Sequence, residues 1–158
     1  MRAALFENSI DPRQLQLELT ESTLMKNPEF SAELLKQISD IGIAVSIDDF
    51  GTGYSSLSYL KRFPISELKI DQSFIKDITT SVDDAVIAGA VVAMAHSLRL
   101  RVVAEGVETA EQMEFLRSLG CDLVQGYFIS EPQSAREFER RLIAANKQEV
   151  TKVFGRVA

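Results

Sequence analysis

Five times along this chain a short β-rich run gives way to a longer stretch of helical periodicity, and no other feature limits its fold as strongly. The β-rich runs fall at 15–20, 44–48, 68–71, 102–105 and 123–127. Between them, Asn27-Pro28 supplies an N-cap and a first helical residue, followed at helical spacing by Phe30, Leu34, Leu35 and Ile38. A shorter helix is expected near 56–63, stopped by Pro64. A third carries Val86, Ile87, Ala90, Val91, Met94, Ala95 and Leu98 as an apolar stripe. Thr109 with Gln112, and Ser134 with Glu137, have capping-box spacing and open two more helices. Strand alternating with helix predicts an α/β fold with parallel strands and right-handed crossovers. The strands read as apolar up to their last residues, the pattern of strands covered on both faces.

A length of 158 residues suggests one domain, and 46% hydrophobic residues at a mean hydropathy of +0.02 suit a globular chain with a core. The most apolar stretch, 85–95, is far short of the ~20 residues a membrane-spanning helix needs. The N-terminus meets acidic Glu7 at once and offers no small-residue cleavage site, so no signal peptide is read there. The single cysteine, Cys121, excludes an internal disulfide, fits a cytoplasmic setting, and reads as a small packing residue. A net charge of −6 with no lysine- or arginine-rich run argues against binding DNA or RNA.

Each strand ends in polar groups: Glu18 and Glu21, Asp48 and Asp49, Lys69 and Asp71, Glu105 and Glu108, and Gln125. In a parallel barrel such ends meet at one rim, where the active sites of that architecture lie. Taken singly, each acid could be a solvated loop residue or a helix cap. Asp48-Asp49 could begin a turn into Gly51-Thr52-Gly53, and Lys69 could face outward. Repetition over five strands favours a shared mouth for Glu18, Asp48, Lys69, Glu105 and Gln125. Carboxylates gathered in one cavity repel unless cations neutralise them. Hard oxygen ligands suit Mg²⁺ or Mn²⁺. A lysine among them suits holding a hydroxide or an anionic transition state.

The run Phe50-Gly51-Thr52-Gly53-Tyr54-Ser55-Ser56-Leu57 allows close backbone approach, yet it matches neither common phosphate-loop pattern. His96, the only histidine, falls late in a helix and away from every strand end, so Ser-His-Asp or Cys-His chemistry is not supported.

These motifs resemble the EAL family of cyclic-di-GMP phosphodiesterases. The resemblance rests on Glu18-Leu19-Thr20-Glu21, on Asp48-Asp49-Phe50-Gly51-Thr52-Gly53-Tyr54-Ser55-Ser56-Leu57, on Lys69-Ile70-Asp71, on Ala104-Glu105-Gly106-Val107-Glu108 and on Gln125-Gly126-Tyr127. It implies a partial TIM-type (β/α) barrel, with residues 1–146 as the C-terminal portion of an EAL domain and 147–158 as a tail. It further implies two divalent ions, Mg²⁺ or Mn²⁺, and hydrolysis of cyclic-di-GMP to pGpG. By the same resemblance Glu18 and Asp48 would bind metal, with Asp48 bridging and Asp49 serving the second ion. Lys69 would position the attacking water, and Glu105 would bind metal or act as base. Glu108 and Gln125 would support the metal and water network. Glu21 would anchor the 51–57 loop, and Phe50, Gly51, Thr52, Gly53, Tyr54 and Ser55 would face the substrate.

The sequence departs from the family in holding no Glu-Ala-Leu and no asparagine ligand ahead of Glu18; Asn8 lies too near Glu18 to serve. A complete eight-unit barrel takes ~250 residues. The expectation is therefore a truncated domain, inactive alone, whose open edges at 15–20 and 123–127 favour a homo-oligomer or complementation by missing strands. The alternative is a non-catalytic cyclic-di-GMP-binding or protein-interaction module. A glycosidase using paired carboxylates fits less well, since adjacent acids with a lysine suit metals and the chain has no tryptophan for sugar stacking.

Overall fold

The structure, a computed structural model, describes residues 2–53 and 57–146. The tail expected at 147–158, together with Tyr54, Ser55 and Ser56, lies outside these residues. Helix α1 (Arg2–Glu7) and a 3-10 turn (Pro12–Gln14) precede β1 (Gln16–Thr20), α2 (Glu21–Met25), α3 (Pro28–Ile41) and β2 (Ala44–Phe50). Then follow α4 (Leu57–Leu60), β3 (Glu67–Ile70), α5 (Gln72–Lys76), α6 (Val82–Ser97), β4 (Arg101–Ala104), α7 (Ala110–Ser118), β5 (Leu123–Val124) and α8 (Ala135–Asn146).

The five strands form one parallel sheet in chain order. Advancing one strand per helical crossover is how a β/α barrel is built, so the expected α/β partial barrel is the fold observed. The helix starts follow local chemistry. Asn27 accepts the Phe30 amide at 3.3 Å ahead of Pro28, and Thr109 and Gln112 cap each other. Ser134 and Glu137 do the same, the Ser134 amide reaching Glu137 Oε2 at 3.1 Å. Gly42, at φ +94, closes α3 in the left-handed conformation that glycine adopts without strain.

Two expectations change. The strands are not apolar on both faces. Their register places Leu17 beside Val45, a row of Leu19, Ile47, Leu68 and Val102, and Ile70 beside Ala104 and Val124 on one face. That face packs with Leu35, Ile38, Val91, Val92, Ala95 and Leu116 of the helices into one core. The alternate residues make the other face mostly polar: Gln16, Glu18, Ser46, Glu67, Lys69 and Arg101 share it with Ala44, Val103 and Leu123. Short apolar runs hide this alternation when only two or three residues of each face are visible.

Several strand ends also shift. Asp71, expected to close the third strand, instead caps α5 by accepting the Ser73 amide at 2.9 Å. The fifth strand stops at Val124 rather than 127. Just beyond it the chain passes so close to its neighbour that a Cβ on Gly126 would lie 2.2 Å from the Val107 carbonyl oxygen.

Candidate active site at the strand ends

The site begins with an irregularity in β2. Ser46 pairs with Glu67 and Ile47 with Leu68, but the partner of Ile70 is Phe50 rather than Asp49. One extra residue therefore sits on β2, and Asp48 and Asp49 share the span opposite Lys69. Consecutive residues of a regular strand point to opposite faces; a bulge re-aims one of them. Asp49 completes the distortion at φ +53, a left-handed conformation that aspartate tolerates better than most residues. One carboxylate oxygen each from Asp48, Asp49 and Glu105 consequently lie within 4.8 Å of one another.

Lys69 is buried at the centre of the polar face. Its Nζ lies 2.9 Å from Glu18 Oε2, 3.1 Å from Asp48 Oδ1 and 2.6 Å from Glu105 Oε1. The outward-facing alternative for this lysine is thus excluded. Burial by itself would lower the Lys69 pKa, but its close contacts with the Glu105, Glu18 and Asp48 carboxylates outweigh it and hold the ammonium above its ordinary value. Burial raises the Glu105 carboxyl, with Lys69 opposing and Asp48 and Glu18 reinforcing the rise. Asp49 is raised as well, by partial burial and then by the charges of Asp48 and Asp71.

One ammonium among these acids leaves the cluster net negative. Asp48 Oδ1 is buried and, although close to Lys69, makes no hydrogen bond of acceptable geometry. A buried carboxylate oxygen with spare lone pairs beside two further carboxylates is a donor set for a hard divalent cation, and the residues present fit one.

The other expected site residues lie around this centre. Asp49, Glu105, Glu108 and Gln125 line one cleft of about 340 Å³ together with Asp71 and Tyr127. Glu108 and Gln125 are exposed there. Glu21 is buried and accepts the Gly51 amide at 3.0 Å, while Thr52 Oγ donates to the Asp49 carbonyl at 2.9 Å. Phe50 departs from its expected place: it ends β2 and is buried in the core rather than facing the cleft. His96 sits on the surface near the C-terminus of α6, 2.9 Å from Asp122, and does not line the cleft.

Two supporting residues were not anticipated. Asp71 enters the cleft because it caps a helix too short to show periodicity. Gln112 was visible only as half of a capping box. Its carbonyl oxygen accepts the Glu108 and Thr109 amides, at 2.7 and 3.0 Å. Its amide nitrogen donates to the Ile75 and Lys76 carbonyls, at 3.1 and 3.0 Å.

A parallel β/α sheet that gathers acids around one lysine at its C-terminal edge belongs to the class of barrel proteins that keep their chemistry at that rim. A family model described as the EAL domain matches residues 1–132, and the chain belongs to the EAL domain family of cyclic-di-GMP phosphodiesterases. It is 51% identical over 137 residues to the bifunctional diguanylate cyclase/cyclic di-GMP phosphodiesterase MucR of Pseudomonas aeruginosa, covering 87% of this chain and 20% of that protein. It superposes on the solved PaMucR phosphodiesterase in complex with c-di-GMP at a TM-score of 0.85, over 87% of this chain and 56% of that one. It is also similar to a manganese and cyclic-di-GMP complex of BlrP1 from Klebsiella pneumoniae, at 37% identity and a TM-score of 0.76, over 82% of this chain and 33% of that one. The chain spans about a fifth of the length of the curated relatives it matches. Among the described residues no helix is long and apolar enough to cross a membrane.

Proposed function

We propose that this chain supplies the acidic wall of a divalent-metal site for hydrolysing one phosphodiester of cyclic-di-GMP to give pGpG. The observation that carries the reading is the convergence of Glu18, Asp48 and Glu105 on the buried Lys69 ammonium, with Asp49 beside them and Asp48 Oδ1 left without a hydrogen bond. Glu18, Asp48, Asp49 and Glu105 are the residues that would hold divalent ions, Mg²⁺ or Mn²⁺. Bound ions of this kind lower the pKa of water and offset charge on attacking and leaving oxygens.

The chain's own residues then orient the reactants. Lys69, with three N–H donors and its charge secured by its neighbours, holds the attacking water and the developing anion. Glu105, whose ionised form is disfavoured by burial, is suited to accept a proton. Glu108 and Gln125, exposed on the cleft, bind water and substrate oxygens. Glu21 fixes the start of the glycine-rich loop through the Gly51 amide, which places Gly51, Thr52 and Gly53 where a phosphate or guanine edge can approach backbone.

Five strands leave the sheet edges at β1 and β5 unpaired among the described residues. We therefore expect turnover to require further strands at those edges, supplied by another segment or a second copy. The test is to incubate the chain with Mn²⁺ and cyclic-di-GMP, alone and with the family's Glu-Ala-Leu-bearing front strands joined to it, and to separate products by chromatography. Formation of pGpG only in the joined protein supports the reading. Binding of cyclic-di-GMP by calorimetry with no turnover in either form would favour the non-catalytic module instead.

A further inference from the structure

Beneath the acidic centre lies a second polar layer on the same face of the sheet. Glu67 precedes Lys69 by two residues on β3, and Gln16 precedes Glu18 by two on β1, so both pairs lie on this face. Glu67 is only 6% exposed, and both its oxygens are engaged. Oε1 accepts Gln16 Nε2 at 2.6 Å, and Oε2 pairs with Arg101 Nη2 of β4 at 3.1 Å.

The Gln16–Glu67 bond crosses the whole of β2, as the Glu18–Lys69 bond does one step nearer the rim. The crossing is possible because the intervening β2 residues on this face, Ala44 and Ser46, are small. Glu18 is half exposed and β1 is an edge strand, so packing alone does not hold the Glu18 side chain over Lys69. A side-chain tie from β1 to the strand beyond its neighbour would do so. A buried carboxylate otherwise unused by the chemistry is also costly unless it is paired, and this one is paired on both sides.

We propose that Glu67 is a positioning residue: with Gln16 it sets the spacing of β1 and β3 that brings Glu18 onto Lys69. Its consequence for metal binding rests on the hydrolytic reading above; its geometry does not.

The test uses the full chain labelled with ¹⁵N-lysine, in which the Lys69 Nζ signal is identified by its loss in Lys69→Arg. A buried ammonium held by three carboxylates exchanges its protons slowly and is visible. In Gln16→Ala and Glu67→Ala the signal is expected to be lost to water exchange, while Glu67→Gln, which keeps an acceptor for Gln16, retains it. An unchanged signal in Gln16→Ala, with native circular dichroism, overturns the proposal; should Glu67→Ala fail to fold, Gln16→Ala decides alone. Mn²⁺ affinity read by electron paramagnetic resonance is expected to fall about tenfold in either alanine variant and no further in the double variant. If the unsubstituted chain binds no Mn²⁺, the metal reading fails, and the ammonium signal still decides the role of Glu67.

Discussion

Glu21 Oε2 accepts the backbone amide of Gly51 at 3.0 Å, joining the residue after β1 to the residue after β2 across thirty positions of sequence. The carboxylate is almost fully buried at the first turn of α2, where a negative charge is favoured by the helix dipole. Its position fixes where the glycine-rich segment leaves the sheet, directly beside Asp48 and Asp49.

Glu21→Ala is expected to destabilise the chain by about 1–3 kcal/mol, because a buried charged acceptor and its packing are lost together. Glu21→Gln retains an oxygen acceptor and should cost less. Urea unfolding followed by circular dichroism measures both. An alanine variant within ~0.5 kcal/mol of the parent would show that the tether contributes nothing.

Asp49 carries an electrostatic penalty that amide substitution should remove. Its folded-state pKa is raised, by burial first and then by Asp48 and Asp71. A raised carboxyl contributes stability below its unfolded value, and that contribution is lost as pH rises through the folded value. Asp49→Asn should therefore raise the melting temperature at pH 7 in the presence of a chelator, and the difference should close as pH falls below the ordinary aspartate range. Asparagine also tolerates φ +53. The same variant should lose any Mn²⁺-induced rise in melting temperature, so stability and ion binding move in opposite directions.

Gly126→Ala tests the close crossing of the chain after β5. An added Cβ would meet the Val107 oxygen at 2.2 Å and its nitrogen at 2.3 Å, both backbone atoms that cannot rotate away. The expected result is a loss of at least about 3 kcal/mol or failure to fold, near the upper end for single substitutions. Solubility and thermal melting of the variant provide the measurement.

Cys121 should be inert in the folded chain. Its thiol is fully buried just ahead of β5 and touches the Leu123 carbonyl at 3.2 Å; burial pushes its pKa up to about 11. At pH 8 a disulfide reagent is expected to label it only after addition of urea, since the thiolate is the reactive form. Rapid labelling of the native protein would contradict this packing.

The local rules were readable from the residues. The caps at Asn27, Thr109 and Ser134 are written in sequence because each depends on groups three residues apart. The order of strands and helices follows from hydrophobic period, and the EAL motifs marked which strand ends carry acids. Helices α1, α2 and α5 escaped because five or six residues span too few turns to show a period.

What tertiary structure alone decided is where those side chains meet. Sequence places Asp48 and Asp49 side by side, but whether both reach the rim depends on the register between β2 and β3. Whether Lys69 faces solvent or three carboxylates depends on strand pairing that brings Glu18, Asp48 and Glu105 to the same face. The tie from Gln16 to Glu67 spans fifty-one residues and carries no local signature at all. Local hydrogen bonds and periodicity act over a few residues, whereas the position of a charge relative to another strand is set by pairing and packing across the whole sheet.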